Sequence, residues 1–354
     1  MQNKHESSTD RRSFLMRSMG MGAAAMLGGG ALFNHAARAS TESAETAGDA
    51  SPRAALNSSD VAILKFLAAA ELLEEDLWGQ YCELAMANKG FIKALSKIDP
   101  ALPSYVCQDH ANENSHALFI NSYLVANGQT AVNLDPFRTL PSVKASGAGT
   151  KGRLTNLTNL TVDTSYYTRY RSAGNPDFGD TFPQIAMIKN QATVPISDSI
   201  KGKDMQAIAE SAAFHFAAIE QGGSSLYNSL ITKVSSLDSV AILASIGPVE
   251  VYQFSAFHGS LAGISKIQTS TVDIPDLHKD KTTAFAHFPL PCKFLDPTLA
   301  PNSVIRPRNT NTAGAVAAAT GLVASGLFMG QPQGFLDAVV ALATAADNGV
   351  RVIS

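Results

Sequence analysis

The chain is poor in charge and in cysteine, and it lacks the short motifs that mark many enzymes. Charged residues make up 16% of its 354 positions and the formal net charge is −3. That balance gives no bulk attraction for nucleic acid, and neither a basic helix face nor a phosphate-cradling glycine loop supplies a local one. A Gly-x-Ser-x-Gly nucleophile motif is also missing. The three cysteines, Cys82, Cys107 and Cys292, match no C-x-x-C metal or redox spacing and leave one unpaired in any intramolecular scheme. One disulfide is allowed, none is required, and the spacing does not choose the pair. With 45% hydrophobic residues, the chain can still bury a substantial core.

Residues 1–39 read as a targeting segment. Arg11 and Arg12 precede Phe14 and Leu15, then a Gly, Ala and Met-rich run from Met16 to Phe33, then the small-x-small pattern Ala37, Arg38, Ala39. This resembles a twin-arginine export signal. The resemblance implies contact with the twin-arginine translocation machinery and a periplasmic or secreted mature protein, carried across already folded and often with its cofactor loaded. A membrane-anchoring helix is the alternative, but the run is glycine-rich and short for a span. Residues 40–57 lack apolar periodicity and read as a disordered linker.

Beyond Ser58 the apolar spacing becomes helical. From an N-cap expected at Ser59 or Asp60, the residues Leu64, Leu67, Glu71, Glu74, Trp78, Tyr81 and Ala85 recur at alternating three- and four-residue steps. Glu71 and Glu74 therefore sit on the inward stripe, whereas Glu75 and Asp76 point elsewhere. A second helix is expected over 105–127, with Asp109, Glu113, His116, Ile120 and Tyr123 on one face and Gly128 as its stop. A third, over 204–233, carries Phe216, Glu220, Gly223, Tyr227 and Leu230 on one stripe, with the Gly222–Gly223 pair permitting close helix approach. The fourth, over 236–264, carries Leu243, Gly247, Glu250, Phe254 and Phe257 inward, with Gln253 on the same side and Pro248 expected to kink it.

About seventy residues, 129–203, separate the second and third helices, too many for a plain loop. They read as an insertion on the outside or one end of the bundle, with some strand around 158–170. Its Tyr166, Tyr167 and Tyr170 are expected to pin the insertion to the helices; an interaction surface is the alternative. Residues 265–310 read as an ordered wrap, followed by a helical hairpin over 313–329 and 333–347. The apolar first arm could be mistaken for a membrane span; no stable span is expected in the mature protein, and a homo-oligomer is left open.

The chemistry lies in the carboxylates. On a helix, residues three apart are neighbours on one side, so a Glu and the His three positions later can reach one ion. Glu113 and His116 have that spacing; Glu250 and Gln253 repeat it with an amide in place of the imidazole. Adding Glu71, Glu74 and Glu220 puts acidic groups on all four inward stripes, a charge density that cations or protons must neutralise. Mixed carboxylate and imidazole ligands suit iron, manganese or zinc better than soft metals. His110, His215 and His258 lie off the stripes and are not expected to replace the missing histidine.

The stretches 64–78 (LKFLAAAELLEEDLW), 113–124 (ENSHALFINSYL) and 216–258 resemble the ferritin-like family that includes plant and bacterial desiccation-related proteins. The resemblance implies a mainly α fold: an up-down four-helix bundle over 58–264 with a long insertion after helix 2 and a C-terminal extension over 265–354. It implies an intact or vestigial dinuclear iron or manganese site. Metal ligand roles would fall to Glu71 or Glu74, Glu113, His116, Glu220 and Glu250, with Gln253 where the family-like pattern has His. Glu113 and Glu250 are expected to bridge, Glu71 or Glu74 with His116 to complete one site, and Glu220 the other, which the amide should leave weak or empty. The implied activity is oxidase or peroxide-related redox chemistry. A non-enzymatic envelope stress protein with a degenerate metal site is the alternative.

Overall fold

The computed structural model describes residues 56–169, 183–279 and 314–352. The expected signal segment, nearly all of the expected linker, Tyr170, Cys292 and most of the expected wrap lie outside these residues. The described part is mainly helical. Its long helices are α1 (Ser58–Ala87), α3 (Leu102–Ala126), α5 (Gly202–Ile231) and α6 (Leu237–Ser260). Helix α1 packs along α3 and α5 along α6, while α3 also meets α6.

The helix starts follow local hydrogen bonding. Asn57, not Ser59 or Asp60, caps α1: its extended backbone lets the side chain accept from the Asp60 amide at 2.8 Å. The Asp60 carboxylate is used elsewhere, accepting the Ser235 and Ser236 amides at 2.8 and 2.9 Å and so fixing the turn between α5 and α6. Although burial opposes its charge, these donors hold its pKa below the usual value. Ser236 then caps α6 by accepting from the Ser239 amide. That helix runs unbroken through Pro248. Gly128 takes φ +73° just beyond α3, where a side chain would be strained.

A short helix, α2 (Lys89–Ile98), lies outside the four expected ones. Asn88 breaks α1 and caps α2, accepting from the Phe91 amide at 3.0 Å, and Phe91, Ala94, Leu95 and Ile98 become buried, with α2 packed on α5. At the heart of the bundle Trp78 stacks on Phe257 with ring centroids 5.1 Å apart and tilts against Phe216 at 5.2 Å.

The insertion is tied down by polar groups as well as apolar ones. Asp76 does point off the α1 seam, yet it is buried: it accepts the amides of Leu154 and Thr155, both at 2.9 Å, and pairs with Arg138 at 2.6 Å. The strand expected around 158–170 is replaced by a single bridge, Leu160 to Gln191, and a helical turn, α4 (Tyr166–Arg169). Tyr166 and Tyr167 are fully buried, and the Tyr166 hydroxyl donates to the Phe214 carbonyl, so both pin the insertion as expected. The described strands form one small antiparallel sheet, β1 (Met187–Ile188), β2 (Ile267–Gln268) and β3 (Val272–Ile274), ordered β1-β3-β2. The C-terminal helices α7 (Ala315–Ser325) and α8 (Gln333–Asp347) pack together, and α8 also covers α1, burying Phe335 and Ala343. Asp347 accepts the first amides of α7 at 2.9 and 2.8 Å.

Among the described residues one segment, Leu237–Gly263, is long and apolar enough to cross a membrane by length and composition. It is the stretch that carries Glu250 and Gln253 into the bundle.

Candidate metal centre

Four helices deliver their polar side chains to one point. Helix α1 supplies Glu71 and Glu74, α3 Asp109, Glu113 and His116, α5 Glu220, and α6 Glu250 and Gln253. On α1, α3 and α6 the contributing residues stand three or four apart and so share a face, while α5 contributes Glu220 alone. All are buried except Glu74, which is partly exposed although its Oε2 is enclosed.

Oxygen and nitrogen donors gather in three overlapping groups, each within 4.8 Å: Glu71, Glu113, His116 and Glu250; Glu74, Glu220 and Glu250; and Asp109, Glu113 and Glu220. Glu113, Glu220 and Glu250 each belong to two groups. Glu71 stands with His116 and Glu74 with Glu220. His116 Nδ1 lies 3.2 Å from both Glu71 Oε2 and Glu113 Oε2, and 3.7 Å from Glu250 Oε1. The Tyr227 hydroxyl donates to Glu71 Oε1. Gln253 Nε2 donates to Asp109 Oδ1 and, at 2.9 Å, to Glu113 Oε1.

Gly223 makes room for this cluster. A Cβ there would collide with Glu250 Oε2, with Glu74 Oε1 3.7 Å away. At Gly247 a Cβ would come within 2.9 Å of Tyr227 Cβ, so both glycines let α5 and α6 close around the carboxyl groups. A cavity of about 1510 Å³, lined by residues including Leu73, Ile219, Leu226 and Ala318, reaches Glu74 and Gly223 from the side.

The electrostatics are lopsided. Glu71, Glu74, Asp109, Glu113, Glu220 and Glu250 share one imidazole. Burial, reinforced by the neighbouring Glu113, pushes Glu71 up to about 8 and holds Glu74 and Glu250 well above the usual carboxylate range. Asp109 and Glu220 are raised in the same way, with each other's neighbours adding to the cost of ionising. Glu113 goes the opposite way: burial would raise it, but hydrogen bonds from His116 and Gln253 outweigh that and lower it. Burial likewise disfavours charge on His116, yet its bonds to Glu113 and Glu71 lift it to about 10.

These residues fit a metal. Among the described residues neither oxygen of Glu220 or Glu250 meets an N–H or hydroxyl donor, and one oxygen each of Glu74, Asp109 and Gln253 is likewise unpaired. Buried carboxyl oxygens without donors are costly, and hard cations are the partners that carboxylate and imidazole donors suit.

The site thus brings together all seven expected residues: Glu71, Glu74, Glu113, His116, Glu220, Glu250 and Gln253. Two contributors were not assigned roles from sequence. Asp109 stood on the inward face one turn before Glu113, a signal that was visible; Tyr227 sat on the α5 stripe, where an aromatic reads as core. The other histidines stay apart. His110 is partly exposed beside Glu75 at 3.8 Å. His215 lies 2.8 Å from the Tyr81 hydroxyl, and His258 packs among Tyr166, Tyr167 and Phe254. No family model, characterised protein or solved structure matches the chain.

Proposed function

We propose that the chain is an exported, ferritin-like metalloprotein whose bundle holds a pair of iron or manganese ions for oxidase or peroxide-related redox chemistry. The observation that carries this reading is the set of buried acidic side chains from four helices, with Glu220 and Glu250 lacking any donor. Glu71, Glu113, His116 and Glu250 would hold one ion, and Glu220 and Glu74 the other, with Glu113 and Glu250 shared. Bound iron or manganese supplies one-electron chemistry towards oxygen or peroxide. The protein's own contribution is orientation and exclusion of water. Glu113 fixes the His116 ring, Tyr227 holds Glu71, and the apolar cavity gives a small molecule an approach at Glu74.

Export rests on Arg11 and Arg12 and the site at Ala37 to Ala39, and a disulfide between Cys82 and Cys107 supports an oxidising compartment. Lysine at both arginines should leave unprocessed protein in the cytoplasm; normal export of that variant would refute the route. The redox reading is tested by loading metal-free protein anaerobically with ferrous ion and adding oxygen or hydrogen peroxide. Oxidation faster than that of free ferrous ion supports it, and an equal rate contradicts it.

A second reading, a desiccation-related or envelope stress scaffold without catalysis, is favoured by one observation. With Glu74, Asp109, Glu220 and Glu250 all biased towards the neutral form, protons alone can balance the cluster. Absence of metal in purified protein would select that scaffold.

A further inference from the structure

We propose that Asp109 is a metal ligand, giving the second site the donor that its missing histidine would have supplied, and that Gln253 serves as its positioning residue. This rests on the dinuclear reading above and deepens it. Asp109 lies one helical turn before Glu113 on α3 and is only 2% exposed. Its donor atom falls within 4.8 Å of donors on Glu113 and Glu220, as close-knit a group as the one around His116.

The hydrogen bonding sorts the roles. The Gln253 amide turns its nitrogen towards Asp109 and Glu113 and donates to both. Asp109 Oδ1 is thereby held, Oδ2 meets no N–H or hydroxyl donor, and Glu220, fully buried and likewise without such a donor, lies within hydrogen-bonding reach of the Asp109 carboxyl. The amide oxygen of Gln253 is buried without a partner as well. As a neutral donor it is also a weaker partner for a hard cation than a carboxylate oxygen. One helix thus replaces the ligand that another has lost: α3 carries Asp109, Glu113 and His116 on a single face, while α6 keeps Glu250 and uses Gln253 to aim its neighbour.

The test uses the full chain, stripped of metal and titrated anaerobically with manganous ion, free ion being read by electron paramagnetic resonance. The unmodified protein should bind about two ions. Asp109→Asn keeps the oxygen that accepts from Gln253 and resembles a protonated aspartate in shape, so it should fold. It should keep the His116-side site and weaken the second by about tenfold or more, with Asp109→Glu restoring part of the loss. Gln253→Leu should weaken the same site by about tenfold, and in the Asp109→Asn background should add far less than that, only the part exerted through Glu113, its other acceptor. Unchanged binding of both ions by Asp109→Asn would overturn the ligand role, and additive losses in the double variant would overturn the positioning role. Failure of the unmodified protein to take up manganese would remove the dinuclear reading and this proposal together, a result distinct from either.

Discussion

A methyl group on Gly223 would strike Glu250 Oε2 and crowd Glu74, so a residue with no side chain sets how close α5 and α6 can bring their acids. Alanine inside a helix normally gains about 1 kcal/mol over glycine. Here Gly223→Ala should show no such gain in thermal melting of the metal-free protein, and it should lower metal affinity by about tenfold or more as the displaced carboxyl loses its aim. Tighter metal binding by a more stable variant would contradict that placement. His215 offers an independent check. Burial alone drives its pKa down to about 3 from an ordinary 6.5, so between those values the unfolded chain takes up a proton that the folded chain refuses. The share of stability that His215 contributes must therefore fall as pH falls through that window, by about 2 kcal/mol at pH 5, while the raised carboxyl groups of Glu71, Glu74, Glu220 and Glu250 act in the opposite direction. His215→Asn, which can keep a partner for the Tyr81 hydroxyl, should flatten that loss in denaturant unfolding at pH 7 and pH 5; an unchanged slope would show that another group governs it. The inward stripes made Glu71, Glu113, Glu220 and Glu250 legible as a set, because periodicity says which side chains face the core. It does not say which of them meet, and so Asp109 looked like one more buried residue.

The long helices were legible for the same reason, their seams being unbroken over many turns. Helix α2 was not, because it is short and begins at an Asn88 that could equally have closed a loop. The insertion was harder still: it docks through Asp76 and Arg138, partners 62 residues apart, and nothing local announces such a pair. The cysteine pairing was undecidable from spacing, yet the fold joins Cys82 on α1 to Cys107 on α3, with Cα atoms 4.8 Å apart and 25 residues between them in sequence. That crosslink ties together the two helices that carry Glu71, Glu74, Asp109, Glu113 and His116. Closing a loop of that size should stabilise the fold by about 3 kcal/mol. Replacing both cysteines with serine should cost that much in denaturant unfolding and lower metal affinity, whereas equal stability would show that helix packing alone sets the spacing.

Across the whole molecule the design is an apolar, weakly charged bundle built around a small core of concentrated acid. Burial makes each carboxyl group costly to ionise, and among the described residues only His116 stands in the cluster to offset them, so the cluster must bind either several protons or cations. The Gly223 clearance, the unpaired oxygens of Glu220 and Glu250 and the cavity reaching Glu74 favour cations. The resemblance to ferritin-like proteins pointed to that outcome, and the convergence of four helices gives it a geometry. Elemental analysis of protein purified without chelator from its native compartment tests this most directly. Iron or manganese should be found at between one and two ions per chain, and Glu113→Gln combined with Glu250→Gln should abolish it. Protein that is folded, free of transition metal, and unable to take up ferrous or manganous ion would contradict the account.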